Sequence, residues 1–389
     1  MTTTLFVVTL VVVTALVFDF TNGFHDSANA MATSVATGAL RPRVAVLVAA
    51  ILNVIGAFLS TEVAKTISGG IVNDAVVTPV MIFAGLVGAI LWNLTTWLFG
   101  MPSSSSHALF GGLIGAVLVG AGAAGVNFSV IVSKIVLPAL MAPLVAGLAA
   151  CLATFLVYKW MRRADQEPAA GWFRRGQTVS GSMVALAHGT SDGQKTMGVI
   201  TLVLVTSGLQ ESGTGPQTWV IAAAGLAIGL GTYSGGWRIM RTMGRGLVEV
   251  DSAQGFAAET TSTAAILASS HLGIGLSTTQ VCSGSIIGTG VGRRGGAAVR
   301  WPIVGRMAVG WLLTLPAAAI VGGLAALIAG TGTVGLIIVL LLLIAGSTGI
   351  WLLSRRNRIS SDNVNDAAEV TVLSPLPVTD DAEERVPAA

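Results

Sequence analysis

Long apolar runs, each bounded or interrupted by a short polar motif, set the pattern of this chain. They lie near residues 5–38, 44–61, 79–99, 107–123 and 130–158, and a second set lies near 180–206, 217–236, 256–273, 277–292, 303–328 and 334–353. Most approach or exceed the roughly 18 residues that carry a helix across a hydrocarbon core. The pattern predicts an all-α integral membrane protein with about 11 transmembrane segments, in a range of about 10 to 12. The first run has no basic leader and no small-residue cleavage signal, so it reads as a retained span.

Two motifs break the apolar pattern in the same way. FTNGFHDSANAMATSV at 20–35 and VALAHGTSDGQKTMGVIT at 184–201 share a Gly-x-x-Asp core. Aligned, they place Gly23 on Gly189, Asp26 on Asp192 and Asn29 on Lys195, the last pair lying on the aspartate's own helix face. A carboxylate at membrane depth costs at least about 2.5–3.5 kcal/mol and is rarely kept without a task. Its repetition reads as one binding motif used twice.

Further matches follow in the same order and at a nearly constant separation. Lys65-Thr66-Ile67 recurs as Arg241-Thr242-Met243, and Ser104-Ser105-Ser106-His107 recurs as Ser277-Thr278-Thr279-Gln280. The expected organisation is a first transmembrane repeat over 1–158, a second over 180–330 and an additional helix over 331–353. An odd number of passes in each half inverts the second half relative to the first. Each hydroxyl-rich turn joins two closely spaced apolar segments, as a broken helix or re-entrant hairpin at the midplane would, and offers donors to an anion at a helix start. By the pass count, the 104–107 turn faces the cytoplasm and the 277–280 turn the exterior. Simple N-caps are the plainer reading of those hydroxyls, and helix-packing donors the plainer reading of His25 and His188.

Composition sharpens the class: 53% hydrophobic and 10% charged residues, a net charge of +3 and a mean hydropathy of +0.80. The positive charges fall in loops. Arg41 and Arg43, the 159–179 linker, Arg238, Arg241 and Arg245, Arg293, Arg294 and Arg300, and Arg355, Arg356 and Arg358 all share one side if the N-terminus is outside and the C-terminus cytoplasmic. They report topology in the plasma membrane and give no sign of nucleic-acid binding. Cys151 and Cys282 lie in apolar stretches, which argues against a disulfide framework or a zinc site. The chain shows no nucleophile elbow, no HExxH helix and no P-loop, so it reads as neither a hydrolase nor an ATP-driven pump. The basic linker, with Trp160, Trp172 and Phe173, suits the membrane surface, and residues 354–389 have the composition of a disordered cytoplasmic tail.

NGFHDSANAMAT, the SSSH turn and HGTSDGQKTMG resemble the inorganic phosphate transporter (PiT) family, most closely its bacterial low-affinity branch. The resemblance runs from about residue 5 to residue 353. It implies an inverted-repeat secondary transporter that moves phosphate with a coupling cation, in a homodimer, with no cofactor beyond the transported ions. Carried over by residue, it points to Asp26, Asn29, Asp192, Ser104, Ser105, Ser106, Ser277, Thr278 and Thr279, and to Glu62 and Glu259. Sodium-coupled members resemble Asn-Asp-x-x-Asn in the second motif, whereas this chain has Ser191-Asp192-Gly193-Gln194-Lys195.

Electrostatics leads the same way without the family. Asp26, Glu62, Asp192 and Glu259 around one site would repel an anion unless cations or protons offset their field. Lys195 supplies a fixed positive charge beside Asp192. Proton symport, with His25 or a carboxylate as carrier, or uptake of a neutral divalent metal–phosphate complex, is therefore the expected mechanism. Sulfate is the rival substrate and sodium the rival coupling ion. Phosphate keeps a proton near neutral pH and donates it to a carboxylate, which sulfate does not.

Overall fold

In lipid every backbone polar group must be satisfied within its own segment, which makes helices the outcome of long apolar runs. The computed structural model describes residues 2–161 and 166–366, and it is built of helices: α1 (Thr2–Ala36), α2 (Pro42–Ala57), α3 (Glu62–Gly70), α4 (Pro79–Leu98), α5 (Ser105–Ala121), α6 (Phe128–Ile131), α7 (Leu137–Met161), α8 (Gln166–Thr206), α9 (Thr218–Ser234), α10 (Trp237–Arg241), α11 (Ser252–His271), α12 (Thr278–Arg294), α13 (Trp301–Ala329) and α14 (Thr333–Ser354). Wider π-turns at Val132–Val136 and Thr242–Gly246 continue α6 into α7 and extend α10. A lone antiparallel bridge joins Val72 to Val126.

Among the described residues, five helical stretches are long and apolar enough to cross a membrane, and two bent pairs, α2 with α3 at 65° and α9 with α10 at 61°, raise the number to seven. This differs from the eleven or so expected. The difference lies in α5, α8, α11 and α12: α5 is short, and the others carry buried polar residues such as Asp192, Glu259 and Thr289. In α12, Ser283, Ser285 and Thr289 are fully buried.

Close helix packing repeats across the chain. α1 lies against α9, and α8 lies against α2. Gly23 and Gly189 occupy matching places in these contacts: a Cβ would meet the Ile228 carbonyl oxygen at 2.2 Å from the first and the Asn53 carbonyl oxygen at 2.3 Å from the second. Likewise α5 packs on α13 and α12 on α7. Both α5 and α12 end on a glycine in the left-handed region, Gly122 at φ 73° and Gly295 at φ 75°, and each is followed by a short 3-10 turn.

Small residues of this kind let transmembrane helices approach to backbone contact. Gly288→Ala would place a Cβ 2.0 Å from the carbonyl oxygen of Gly147. Backbone cannot swing aside as a side chain does, so the overpacking cost of about 1–3 kcal/mol should be met in full. The expected result is a clearly lowered melting temperature in detergent, and an unchanged one would contradict the close approach of α7 and α12.

The linker and tail differ from expectation. A helix begins at Gln166, so most of the 159–179 segment is the N-terminal end of α8 rather than a separate piece. Arg162 and Arg163 lie outside the described residues. Phe173 stacks against Trp160 and Phe256, and Arg174 donates to the Gly38 carbonyl. The start of the tail is ordered. Asp362 pairs with Arg43 at 3.1 Å, Arg238 donates to the Ser354 carbonyl at 2.7 Å, Asn365 donates to the Val35 carbonyl at 3.1 Å, and Val364 is buried. Loop arginines bind this stretch through its carbonyls, which composition alone does not reveal. Residues 367–389 lie outside the described residues.

Candidate functional site

The two aspartate motifs meet. Asp26 on α1 and Asp192 on α8 are both buried, and the N-termini of α5 and α12 are brought to them from opposite halves of the chain. Asp26 Oδ2 accepts from Ser105 Oγ at 2.5 Å, and its Oδ1 lies 2.7 Å from His25 Nδ1 and accepts from Thr279 Oγ1 at 3.3 Å. Asp192 Oδ2 accepts from Thr278 Oγ1 at 3.4 Å. Asn29 donates to Thr279 at 2.9 Å and to Thr278 at 3.4 Å.

Lys195 closes the ring. Its Nζ donates to Asp192 Oδ1 at 2.6 Å, to the Leu276 carbonyl at 3.2 Å and to Ser106 Oγ. One ammonium thus ties the α8 motif to both hydroxyl turns. Asn29 and Lys195 hold the starts of α5 and α12 at one interior point, as re-entrant hairpins would.

The hydroxyls divide into two jobs. Ser104 Oγ accepts from the His107 N–H at 3.2 Å and Ser277 Oγ from the Gln280 N–H at 3.4 Å, so these two expected substrate ligands are N-caps. Ser105, Ser106, Thr278 and Thr279 follow directly and aim their hydroxyls at the carboxylates and Lys195. Helix geometry leaves the first N–H groups of α5 and α12 without intrahelical partners, and both helix dipoles place partial positive charge at this spot. The result is a site with strong donors for an oxyanion lying against two carboxylates.

His188 completes the centre. Its Nε2 stands 3.9 Å from Asp26 Oδ2 and 3.6 Å from Asp192 Oδ2 and has no hydrogen-bond partner. Its Nδ1 meets Asn53 Oδ1 at 3.0 Å, while Asn53 Nδ2 donates to Thr232 at 2.7 Å. With the Asn53 amide so oriented, Nδ1 carries a hydrogen and Nε2 is left facing the two carboxylates. Asp26, His188 and Asp192 together could hold a metal ion. His25 reaches outward through Nε2 to Thr96 at 3.2 Å.

The two glutamates part company with the site. Glu62 is half exposed and pairs with Lys65 at 2.8 Å on the surface of α3. Glu259 is buried on α11, but it stands apart in a cluster of its own, accepting from Thr33 and Ser34 at 2.7 Å, Ser180 at 2.6 Å and Gln177 at 3.3 Å. The field of four carboxylates therefore reduces to two at the centre. Sequence reasoning missed Asn53, which positions His188, and Asp19, a buried carboxylate on α1. The rule that singled out Asp26, a charge inside an apolar run, applies equally to Asp19.

Known proteins resemble this chain over most of its length. The phosphate transporter family (PHO4) matches residues 22–322. A protein named probable low-affinity inorganic phosphate transporter from Mycobacterium bovis is 54% identical over 366 residues, covering 93% of this chain and 87% of that protein. One of the same name from Bacillus subtilis is 41% identical over 318 residues, covering 81% of this chain and 95% of that protein. A solved structure titled the sodium-dependent phosphate transporter superposes with a TM-score of 0.74 at 22% identity, covering 84% of this chain and 99% of that one, a likeness of fold.

Proposed function

Since this chain belongs to the phosphate transporter family, we propose that it imports inorganic phosphate across the cytoplasmic membrane as a proton-coupled secondary transporter. The observation that carries the reading is the meeting of two helix N-termini, four hydroxyls and the Lys195 ammonium on a buried pair of aspartates. Phosphate takes the hydroxyl and N–H donors through its oxygens and gives its own proton to a carboxylate. Sulfate at neutral pH has no such proton to give.

In this reading the two halves are inverted repeats, with α4–α5 and α11–α12 as hairpins whose tips reach the site from opposite membrane faces. The matched glycine contacts and the bent pairs support it. Asp26, Asp192, Lys195 and His188 are almost wholly shielded from solvent, which fits an occluded stage between outward and inward opening. Lys195 occupies the place where a coupling sodium would neutralise Asp192, so uptake proceeds without sodium.

A second reading has one observation in its favour. The unpartnered His188 Nε2 between two carboxylate oxygens suits a divalent cation travelling with phosphate as a neutral complex. Radiolabelled phosphate uptake into proteoliposomes, with proton, sodium and divalent-metal gradients imposed separately, tests both. The expected result is uptake driven by an inward proton gradient, indifferent to sodium and little affected by excess sulfate. Preference for sulfate would overturn the substrate, and an absolute need for a divalent metal would establish the second reading.

A further inference from the structure

Asp19 stands out among the buried polar groups of this chain. It is fully buried on α1, and neither carboxylate oxygen has a hydrogen-bond partner. Asn22, one turn further on, is fully buried with both amide atoms unpartnered, and Thr196 Oγ1 on α8 is buried and unpartnered as well. Asn22 and Thr196 are the polar side chains beside Asp19, and Asp192 and Lys195 are the charges that face it from α8. On its own helix the ionisable neighbours are His25 and Asp26. α4 carries no ionisable side chain and α9 only Tyr233.

The spacing places Asp19, Asn22 and Asp26 on one face of α1, with Asp19 two turns before the transport site. An ionised carboxylate in this position would lack water, with only the neutral Asn22 and Thr196 beside it, and would repel Asp192 across the gap. Such a group is tolerated only as the neutral acid or as a cation ligand. A metal cation here would be repelled by the Lys195 ammonium, whereas a neutral acid is not. As an acid, Asp19 gains a hydroxyl hydrogen that the orphaned Asn22 carbonyl or Thr196 oxygen can accept.

We propose that Asp19, flanked by Asn22 and Thr196, is the carrier of the coupling proton. This rests on the proton-symport reading and supplies its residue. The proton adds to an Asp19 oxygen while the site is open to the outside, and it leaves from the same oxygen to the cytoplasm after phosphate has gone. The closed arrangement, in which Asp19 is sealed away from water, forms only with the proton in place. Closure around phosphate therefore requires protonation, which is what couples the two fluxes.

Asp19→Asn mimics the neutral acid permanently. In proteoliposomes it should retain exchange of labelled for unlabelled phosphate, yet lose at least about tenfold in accumulation driven by an imposed proton gradient and move fewer protons per phosphate. Asp19→Glu keeps an ionisable group, so it should keep gradient-driven accumulation with a displaced pH profile. Gradient-driven accumulation by Asp19→Asn equal to that of the unmodified protein overturns the proposal. So does loss of exchange together with accumulation in a folded variant, which would place Asp19 in binding or packing instead. Should Asp19→Asn fail to insert, an unshifted pH profile in Asp19→Glu overturns it equally. Proton-independent uptake by the unmodified protein is a different failure, that of proton symport itself.

Discussion

Asp26→Asn and Asp192→Asn are each expected to bring phosphate uptake down by about a hundredfold or more while leaving the protein inserted and folded. Asp26 accepts from Ser105 and Thr279 and lies within 2.7 Å of His25, and Asp192 accepts from Lys195 and Thr278. A hydrogen bond to a charged partner contributes about 1.5–3 kcal/mol. An asparagine amide also turns an N–H₂ group towards donors that expect an oxygen. Two such losses amount to at least two powers of ten, since each 1.4 kcal/mol is about tenfold. Vesicle uptake alongside a folding check in detergent measures the effect, and normal transport by either variant would remove that residue from the mechanism.

Lys195→Met should be as damaging, for a different reason. The ammonium is buried and holds Asp192, Ser106 and the Leu276 carbonyl together. Removing one partner of a buried ion pair leaves the other charge uncompensated, at a cost of about 3–5 kcal/mol. That corresponds to a loss of roughly two to three and a half powers of ten in phosphate binding. Lys195→Asn tests what refills the place: it replaces the cation with a neutral amide and should recover part of the loss when sodium is supplied. Uptake by the unmodified protein that requires sodium at fixed pH and membrane potential would contradict the role given to Lys195 and leave the phosphate assignment standing.

Much of this molecule was legible along the chain because the relevant signals are local or periodic. Apolar runs of spanning length specify helices, since lipid offers the backbone no other partners. The paired Gly-x-x-Asp motifs and hydroxyl turns could be found by comparing the chain with itself. Asn29 and Lys195 followed from helical spacing alone, three residues beyond each aspartate. Even the surface fate of Glu62 had a local sign, in Lys65 at i+3 on the same short helix.

Other features depend on groups far apart in sequence, and only the tertiary structure decided them. Apolarity says that α5 and α12 lie in the membrane region, but not that their N-termini end at its centre; that is set by Asn29 and Lys195 reaching across to Thr279 and Ser106. Ser104 and Ser105 are neighbours of one residue type, and backbone geometry alone makes the first a cap and the second a ligand of Asp26. Glu259 looked like a companion of Asp26 until four donors from α1 and α8 claimed it. Local sequence dictates which groups must leave water; which of them meet, and so which are satisfied, is settled by helix packing between residues 79 to 250 positions apart.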